Sequence, residues 1–169
     1  MTTADTISIQ KIWSILETVV DPEVPVLTIT DLGIVRDVKL NEDEAEIIIT
    51  PTYTGCPAMD MIAMNIRLAL IEKGYQKIKI TSILSPAWTT DWMSETGKEK
   101  LKAYGIAPPR SDRNGQTGST KLFAEKEAIE CPHCNSYHTK LISQFGSTAC
   151  KALYQCQDCK EPFDYFKCH

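Results

Sequence analysis

Residues 46–71, EIIITPTYTGCPAMDMIAMNIRLALI, change their hydrophobic period halfway along. Ile47, Ile48 and Ile49 form a run of β-branched residues, which reads as a buried strand over Glu46–Thr50. After Pro57 the apolar positions Met59, Ile62, Ala63, Ile66, Ala69 and Leu70 recur every three or four residues, the stripe of an amphipathic helix. Gly74 follows as its stop. Between strand and helix stands Cys56, the one cysteine in the first 130 residues of a chain that has seven.

Working outward, Ile9, Ile12, Trp13, Leu16 and Val20 predict a first helix over Ile7–Val20, ended by Asp21, Pro22, Glu23 and Pro25. The turn Thr30-Asp31-Leu32-Gly33 leads to a strand with Ile34, Val38 and Leu40 on one face, and the polar turn Asn41–Glu44 joins it to the isoleucine strand as a hairpin. Gln76–Leu84, with Ile78 and Ile80, predicts a third strand. An irregular segment around Ser85-Pro86-Ala87-Trp88 follows, then a third helix over Ser94–Gly105 with Leu101 and Tyr104 inward. The fold class expected is α+β: a small α/β sandwich in the order α-β-β-α-β-α over residues 1–107. A linker over 108–130, rich in Gly, Ser, Thr and Asn, precedes a cysteine-rich module over 131–169. Which strand neighbours which does not follow from this pattern.

With 43% hydrophobic and 24% charged residues, the chain has the composition of a soluble globular protein. Its net charge of -4 disfavours nucleic acid and anionic membrane as partners. No signal peptide or spanning segment is visible, so the cysteines are expected in a reducing cytoplasm, where thiols bind metal or react.

Six cysteines crowd into the last 39 residues. Cys131-Pro-His-Cys134 and Cys156-Gln-Asp-Cys159 are two C-x-x-C pairs separated by 21 residues, the spacing of a four-thiolate ribbon. So short a module lacks core of its own and needs a staple. Structural zinc is the expected ion, and a four-thiolate iron–sulfur centre is the rival for the same ligands. Cys150, Cys168, His133, His138 and His169 are left over, and a second metal site is not expected from them. Tyr154, Phe163, Tyr165 and Phe166 read as the ribbon's own core.

Cys56 is open to three readings: a buried structural thiol, a metal ligand, or a reactive group. Its place before Pro57 predicts a helix N-cap, where backbone amides would stabilise a thiolate. Asp21, Glu23 and Asp31 lie in two tight turns, where capping is their plainest role. No histidine precedes residue 133, so thiol catalysis on a thioester lacks its base. Trp88, with Trp92 and Met93, is expected to offer a subunit or client contact.

Together, Asp21-Pro22-Glu23, Thr30-Asp31-Leu32-Gly33, Thr50 through Gly55-Cys56-Pro57 and Pro86-Ala87-Trp88 resemble the SufT-like, MIP-type iron–sulfur assembly domains. Asp91-Trp92-Met93, the stretch Phe145–Ala152 and Pro162–Phe166 narrow this, and the chain is similar to the PaaD family of accessory subunits of bacterial phenylacetyl-CoA epoxidase. The resemblance implies an accessory factor rather than an enzyme, one that assists insertion of iron or an iron–sulfur cluster into a client. The reductase of the epoxidase is the expected client, with the di-iron oxygenase second. It further implies contacts with the epoxidase subunits and with iron–sulfur assembly proteins, a homodimer, a transient iron or cluster cargo beside the zinc, and a functional thiol at Cys56 with Asp21, Glu23 and Asp31 around it. A cluster carrier using the ribbon cysteines, or a purely structural epoxidase subunit, are the alternatives.

Overall fold

The computed structural model describes residues 3–41, 44–109 and 129–167. Most of the expected linker, with Cys168 and His169, lies outside them. The chain divides into two compact units, Met1–Gly97 and Lys98–His169.

In the first unit, helix α1 (Thr3–Leu16) precedes strands β1 (Val35–Asn41) and β2 (Glu44–Ile49), helix α2 (Ala58–Glu72) and strand β3 (Lys77–Ser82). β1 and β2 form the expected antiparallel hairpin, while β2 and β3 run parallel with α2 as the crossover, giving the order β1-β2-β3. Ala45, Ile47 and Ile49 are buried on one face of β2. On the other face Glu46 accepts the Thr81 hydroxyl at 2.8 Å and pairs with Lys79 at 2.9 Å. The isoleucine run is therefore a strand of alternating exposure, with Ile48 only half buried. α2 buries Ala58, Ile62, Ile66 and Leu70.

α1 ends at Leu16, four residues before the expected Val20, because the backbone there changes its hydrogen-bonding step. The amides of Thr18 and Val19 turn back only three residues, to the carbonyls of Ile15 and Leu16, and Val20 bridges to Thr28. Trp88 and Met93, expected at a contact surface, are instead buried at 4% and 3% exposure. The Trp88 indole can be buried because its Nε1 donates to the Leu32 carbonyl at 2.8 Å. Trp92 is half buried, with the Arg36 guanidinium 3.4 Å from its ring centroid.

Helix α3 (Glu95–Ala103) starts behind Ser94, whose hydroxyl accepts the Gly97 amide at 2.9 Å as an N-cap. Leu101 is buried as expected, but Tyr104, just past the helix end, is exposed. In the second unit β4 (Ile106–Ala107), β5 (Thr139–Ser143), β6 (Lys151–Cys156) and β7 (Pro162–Phe166) form one sheet in the order β4-β7-β6-β5. β4 pairs with β7 in parallel, so Ile106 and Ala107 are part of the ribbon's sheet. Ala107, Ile129, Cys131, Cys156 and Phe163 make its core, with Tyr154 stacked on Phe163 and edge-on to Tyr165.

Candidate functional site

β1 begins where β2 and β3 end: Val35 faces Ile49, and Ile49 faces Ser82. Three connecting segments leave the sheet at this end, the turns of residues 21–34, the loop of residues 50–57 and the segment of residues 83–94. The Thr50 amide donates to the Ile34 carbonyl and the Ile83 amide to the Ile49 carbonyl, both at 2.9 Å, which fastens all three to the sheet. The carboxyl ends of a parallel pair are where α/β folds gather functional loops.

Asp21 is buried, and its Oδ1 accepts the amides of Glu23 and Val24 at 2.8 and 2.7 Å. That is the capping role open to it from the sequence. Asp31 is buried as well: Oδ2 accepts the Thr28 amide at 3.1 Å and Oδ1 the Ser94 hydroxyl at 3.0 Å. Gly33 follows at φ 67°, and a Cβ there would stand 2.3 Å from the Trp92 carbonyl oxygen. Asp31 and Gly33 thus bind the first turn to the segment that carries Trp88 and Trp92.

Cys56 is half buried near the end of the second segment, the loop of residues 50–57. The helical backbone starts with Pro57, which occupies the N-cap position of α2 at φ -68° and ψ -20°. Burial pushes the Cys56 thiol up, and the charges of Glu23 and Asp21 push it the same way. The Ala58 amide and the Tyr53 side chain favour the thiolate but do not overcome this. The expected thiolate is therefore not what the fold favours, because desolvation and two carboxylates outweigh the helix end. The structure brings Cys56, Asp21 and Glu23 within electrostatic reach of one another. Among the described residues the one group of three or more metal-ligating side chains ready to hold an ion lies elsewhere, in the ribbon.

That group is Cys131, Cys134, Cys156 and Cys159, whose sulfurs all lie within 4.8 Å of one another. The Sγ atoms of Cys131 and Cys159 are 3.7 Å apart, those of Cys134 and Cys156 3.5 Å. Ligands at about 2.3 Å around one tetrahedral ion stand about 3.8 Å apart, so the residues fit a single metal ion. The two knuckles share one backbone design. Asn135 and Lys160, each directly after the second cysteine of its pair, take positive φ of 60° and 68°. The Cys131 amide then donates to the Ser136 carbonyl at 2.9 Å, and the Cys156 amide to the Glu161 carbonyl at 3.0 Å.

The four thiols compete for charge. Burial opposes ionisation of Cys156, but the amides of Cys159 and Asp158, with the Cys134 and Cys159 thiols, hold it down to about 6. For Cys159 the Glu161 amide favours the thiolate, yet burial and the other three thiols push it up to about 12. Full ionisation of the set requires a cation in its midst. Cys131 and Cys156 are fully buried, Cys159 is half buried, and Cys134 is the exposed ligand. Cys150 is buried away from this group, its sulfur 3.1 Å from the Thr148 hydroxyl, and His133 and His138 are exposed.

Some participants carry no motif. The Tyr53 side chain favours the Cys56 thiolate, and Ser94 meets Asp31 across 63 positions of sequence. Thr50, which opens the Cys56 loop, is 1% exposed, and its hydroxyl has no hydrogen-bond partner among the described residues. Only the position of Asp158 inside the second knuckle could have marked it in advance. Its carboxylate meets the Ser136 hydroxyl and the His138 ring.

Comparison with known proteins agrees with both units. Residues 9–80 match the family described as iron-sulfur cluster assembly protein, and residues 115–167 match the PaaD zinc beta ribbon domain. A protein of Escherichia coli (strain K12), provisionally named as a subunit of 1,2-phenylacetyl-CoA epoxidase, is 49% identical over 160 residues, covering 95% of this chain and 93% of its own. An Fe-S protein maturation auxiliary factor of Porphyromonas gingivalis is 36% identical over 94 residues, 54% of this chain and 89% of its own. The crystal structure of a domain of unknown function, DUF59, from Bacillus anthracis superposes with a TM-score of 0.55 at 30% identity, covering 58% of this chain and 94% of that one. An iron–sulfur assembly domain followed by a metal-binding zinc ribbon, in a chain alike from end to end, places this protein in the PaaD family of phenylacetyl-CoA epoxidase subunits.

Proposed function

We propose that this protein is an accessory maturation factor of a phenylacetyl-CoA epoxidase, which helps deliver iron or an iron–sulfur cluster to a client subunit, the iron–sulfur reductase in the first place. The observation that carries this reading is the placement of the Cys56 thiol beside Glu23 and Asp21 at the carboxyl ends of β2 and β3. Its context is a relative named as an epoxidase subunit and another named as an Fe-S maturation factor.

The chemistry follows from charge. Cys56 is held as a neutral thiol by burial and by two carboxylates. A cationic cargo reverses the second effect: positive charge at the loop offsets Glu23 and Asp21 and lets the sulfur give up its proton and bind. Release is the reverse, with reprotonation weakening the bond once the client's ligands take over. One thiol supplies one ligand where a cluster takes about four, so the remaining ligands come from the client or the donor. That suits a transient holder.

The ribbon cysteines are read as a structural zinc site. The four sulfurs, all within 4.8 Å of one another, suit one small ion, whereas a two- or four-iron cluster would hold at least some of them farther apart. This spacing is why the carrier alternative is not preferred. Asp31 is assigned to scaffolding, since both of its oxygens accept hydrogen bonds that tie turns together.

The test is co-expression of the epoxidase subunits with this chain, with Cys56→Ser, and without it, followed by iron and sulfide analysis of the purified reductase. The reading requires a reductase poor in cluster in the second and third cases. A fully loaded reductase without this chain would refute it.

A further inference from the structure

The two knuckles of the ribbon are joined by more than the metal they hold. Asp158 stands between Cys156 and Cys159, and its carboxylate reaches across to the residues that follow the first knuckle. Oδ2 accepts the Ser136 hydroxyl at 2.5 Å, and Oδ1 lies 3.1 Å from His138 Nδ1. The bridge continues on either side: the Ser136 hydroxyl accepts the His138 amide at 3.0 Å, and the Gln157 amide donates to the His138 carbonyl at 2.7 Å. Ser136 is also the residue whose carbonyl accepts the Cys131 amide, so the grip lands on the turn that sets the first pair of ligands.

We infer that Asp158 is a positioning residue of the metal centre, a clamp that holds the Cys131–Cys134 knuckle against the Cys156–Cys159 knuckle and slows loss of the ion.

Electrostatics alone would not place a carboxylate there. Four thiolates already carry more negative charge than a divalent ion cancels, and a fifth anion adds to the excess. What places it there is geometry: the Ser136 hydroxyl donates to one of its oxygens and the His138 ring lies within hydrogen-bond distance of the other. Both contacts aim the carboxylate at the opposite knuckle. Its partners are exposed, with the Asp158 and His138 side chains 56% and 72% accessible, so the bridge contributes little to bulk stability. Its leverage comes from position. An ion leaves four ligands by opening one knuckle from the other, and this contact must break for that to happen. Partners outside the ligand shell commonly change metal affinity by about 10- to 100-fold.

The inference rests on the reading of the ribbon as a single-ion site, and the experiment separates the two. Full-length protein loaded with zinc is mixed with excess chelator, and the rate of zinc release is followed for wild type, Asp158→Ala, Ser136→Ala/His138→Gln and the triple variant. The visible spectrum of each cobalt(II)-loaded form reports the tetrahedral thiolate set. Asp158→Ala should keep that spectrum and release zinc about 10- to 100-fold faster. The double variant should do the same, and the triple should release no faster than either, because all three break one contact. If Asp158→Ala does not load, the double variant, which leaves the second knuckle untouched, carries the comparison. Release at the wild-type rate, or effects that multiply in the triple variant, would sink the clamp alone. Acid-labile sulfide in the wild-type ribbon in place of one ion would overturn the zinc reading and the clamp with it.

Discussion

Asp31 and Ser94 are bonded twice. The Asp31 carbonyl accepts the Ser94 amide at 2.8 Å, and the Asp31 carboxylate accepts the Ser94 hydroxyl at 3.0 Å. One contact thereby closes the acidic turn, fixes the segment that follows β3 and sets the cap of α3. Asp31→Ala should cost about 1–3 kcal/mol by removing the acceptor of the half-buried Thr28 amide and of the Ser94 hydroxyl. Denaturant unfolding checks this. Cys56 alkylation at a denaturant concentration that leaves the variant folded should stay at the wild-type rate.

Cys56→Ser changes little volume at a half-buried position, so the melting temperature should stay within about 2 °C of wild type. Support of epoxidase activity in cells that carry only the serine variant should be lost. Normal activity there would return Cys56 to a packing role.

Glu23→Gln removes one of the two charges that raise the Cys56 thiol and leaves its burial unchanged. The folded pKa lies above the unfolded value, so folding favours the neutral thiol below the unfolded pKa, and that contribution fades as pH rises through the folded one. Iodoacetamide labelling of wild-type Cys56 should therefore be slower than labelling of free cysteine near neutral pH, and should keep rising after free cysteine has levelled off. Glu23→Gln should shift this profile to lower pH. Peptide mass spectrometry at Cys56 reads it without interference from the ribbon thiols.

Metal removal should unfold one unit and spare the other. Chelation, or Cys134→Ala, takes away the cation that lets the buried thiols ionise, and the core of Ala107, Ile129, Cys131, Cys156 and Phe163 is built around two of the ligands. Hydrogen exchange should lose protection in β4, β5, β6 and β7 while β1, β2 and β3 keep theirs. Because β4 belongs to that sheet, the loss should reach back to Ile106 and not stop at Glu130.

Gly33→Ala should be among the costly single-methyl changes. The residue sits at φ 67°, and the new carbon would meet the Trp92 carbonyl oxygen at 2.3 Å. Left-handed backbone alone costs about 1–2 kcal/mol for a residue with a Cβ, and the clash adds to it, so thermal unfolding should show a loss above about 2 kcal/mol. An equal melting temperature would mean that the turn and the Trp92 segment move apart freely.

What is legible in the sequence is whatever is local. The stripe of Ile62, Ile66 and Leu70, the hairpin between β1 and β2 and the four-cysteine spacing all repeat within a few residues, and each forms as expected. The end of α1 is hidden because apolar spacing carries on through turns in which the hydrogen bonds have already changed step. Trp88 reads as a contact residue because three large apolar side chains near an irregular segment exceed what a small core needs, and nothing local shows that the Leu32 carbonyl, 56 positions away, lets its indole be buried. The protonation of Cys56 is obscured for a related reason. The helix end is adjacent in sequence, whereas Asp21 and Glu23 arrive only through the fold.

The sheet of the first unit has two ends, only one of which carries the Cys56 loop, and this offers a handle for experiments. Asn41 faces Glu44, and Glu44 faces Lys77, so the β1–β2 and α2–β3 connections both emerge at the edge away from Val35, Ile49 and Ser82. Five residue steps along β2 separate the two ends by roughly 17 Å. A fluorophore, a cross-linker or a short affinity peptide placed between Asn41 and Glu44 would lie at the end of the sheet away from Cys56, so the proposed delivery to a client can be followed on a protein labelled at that distance.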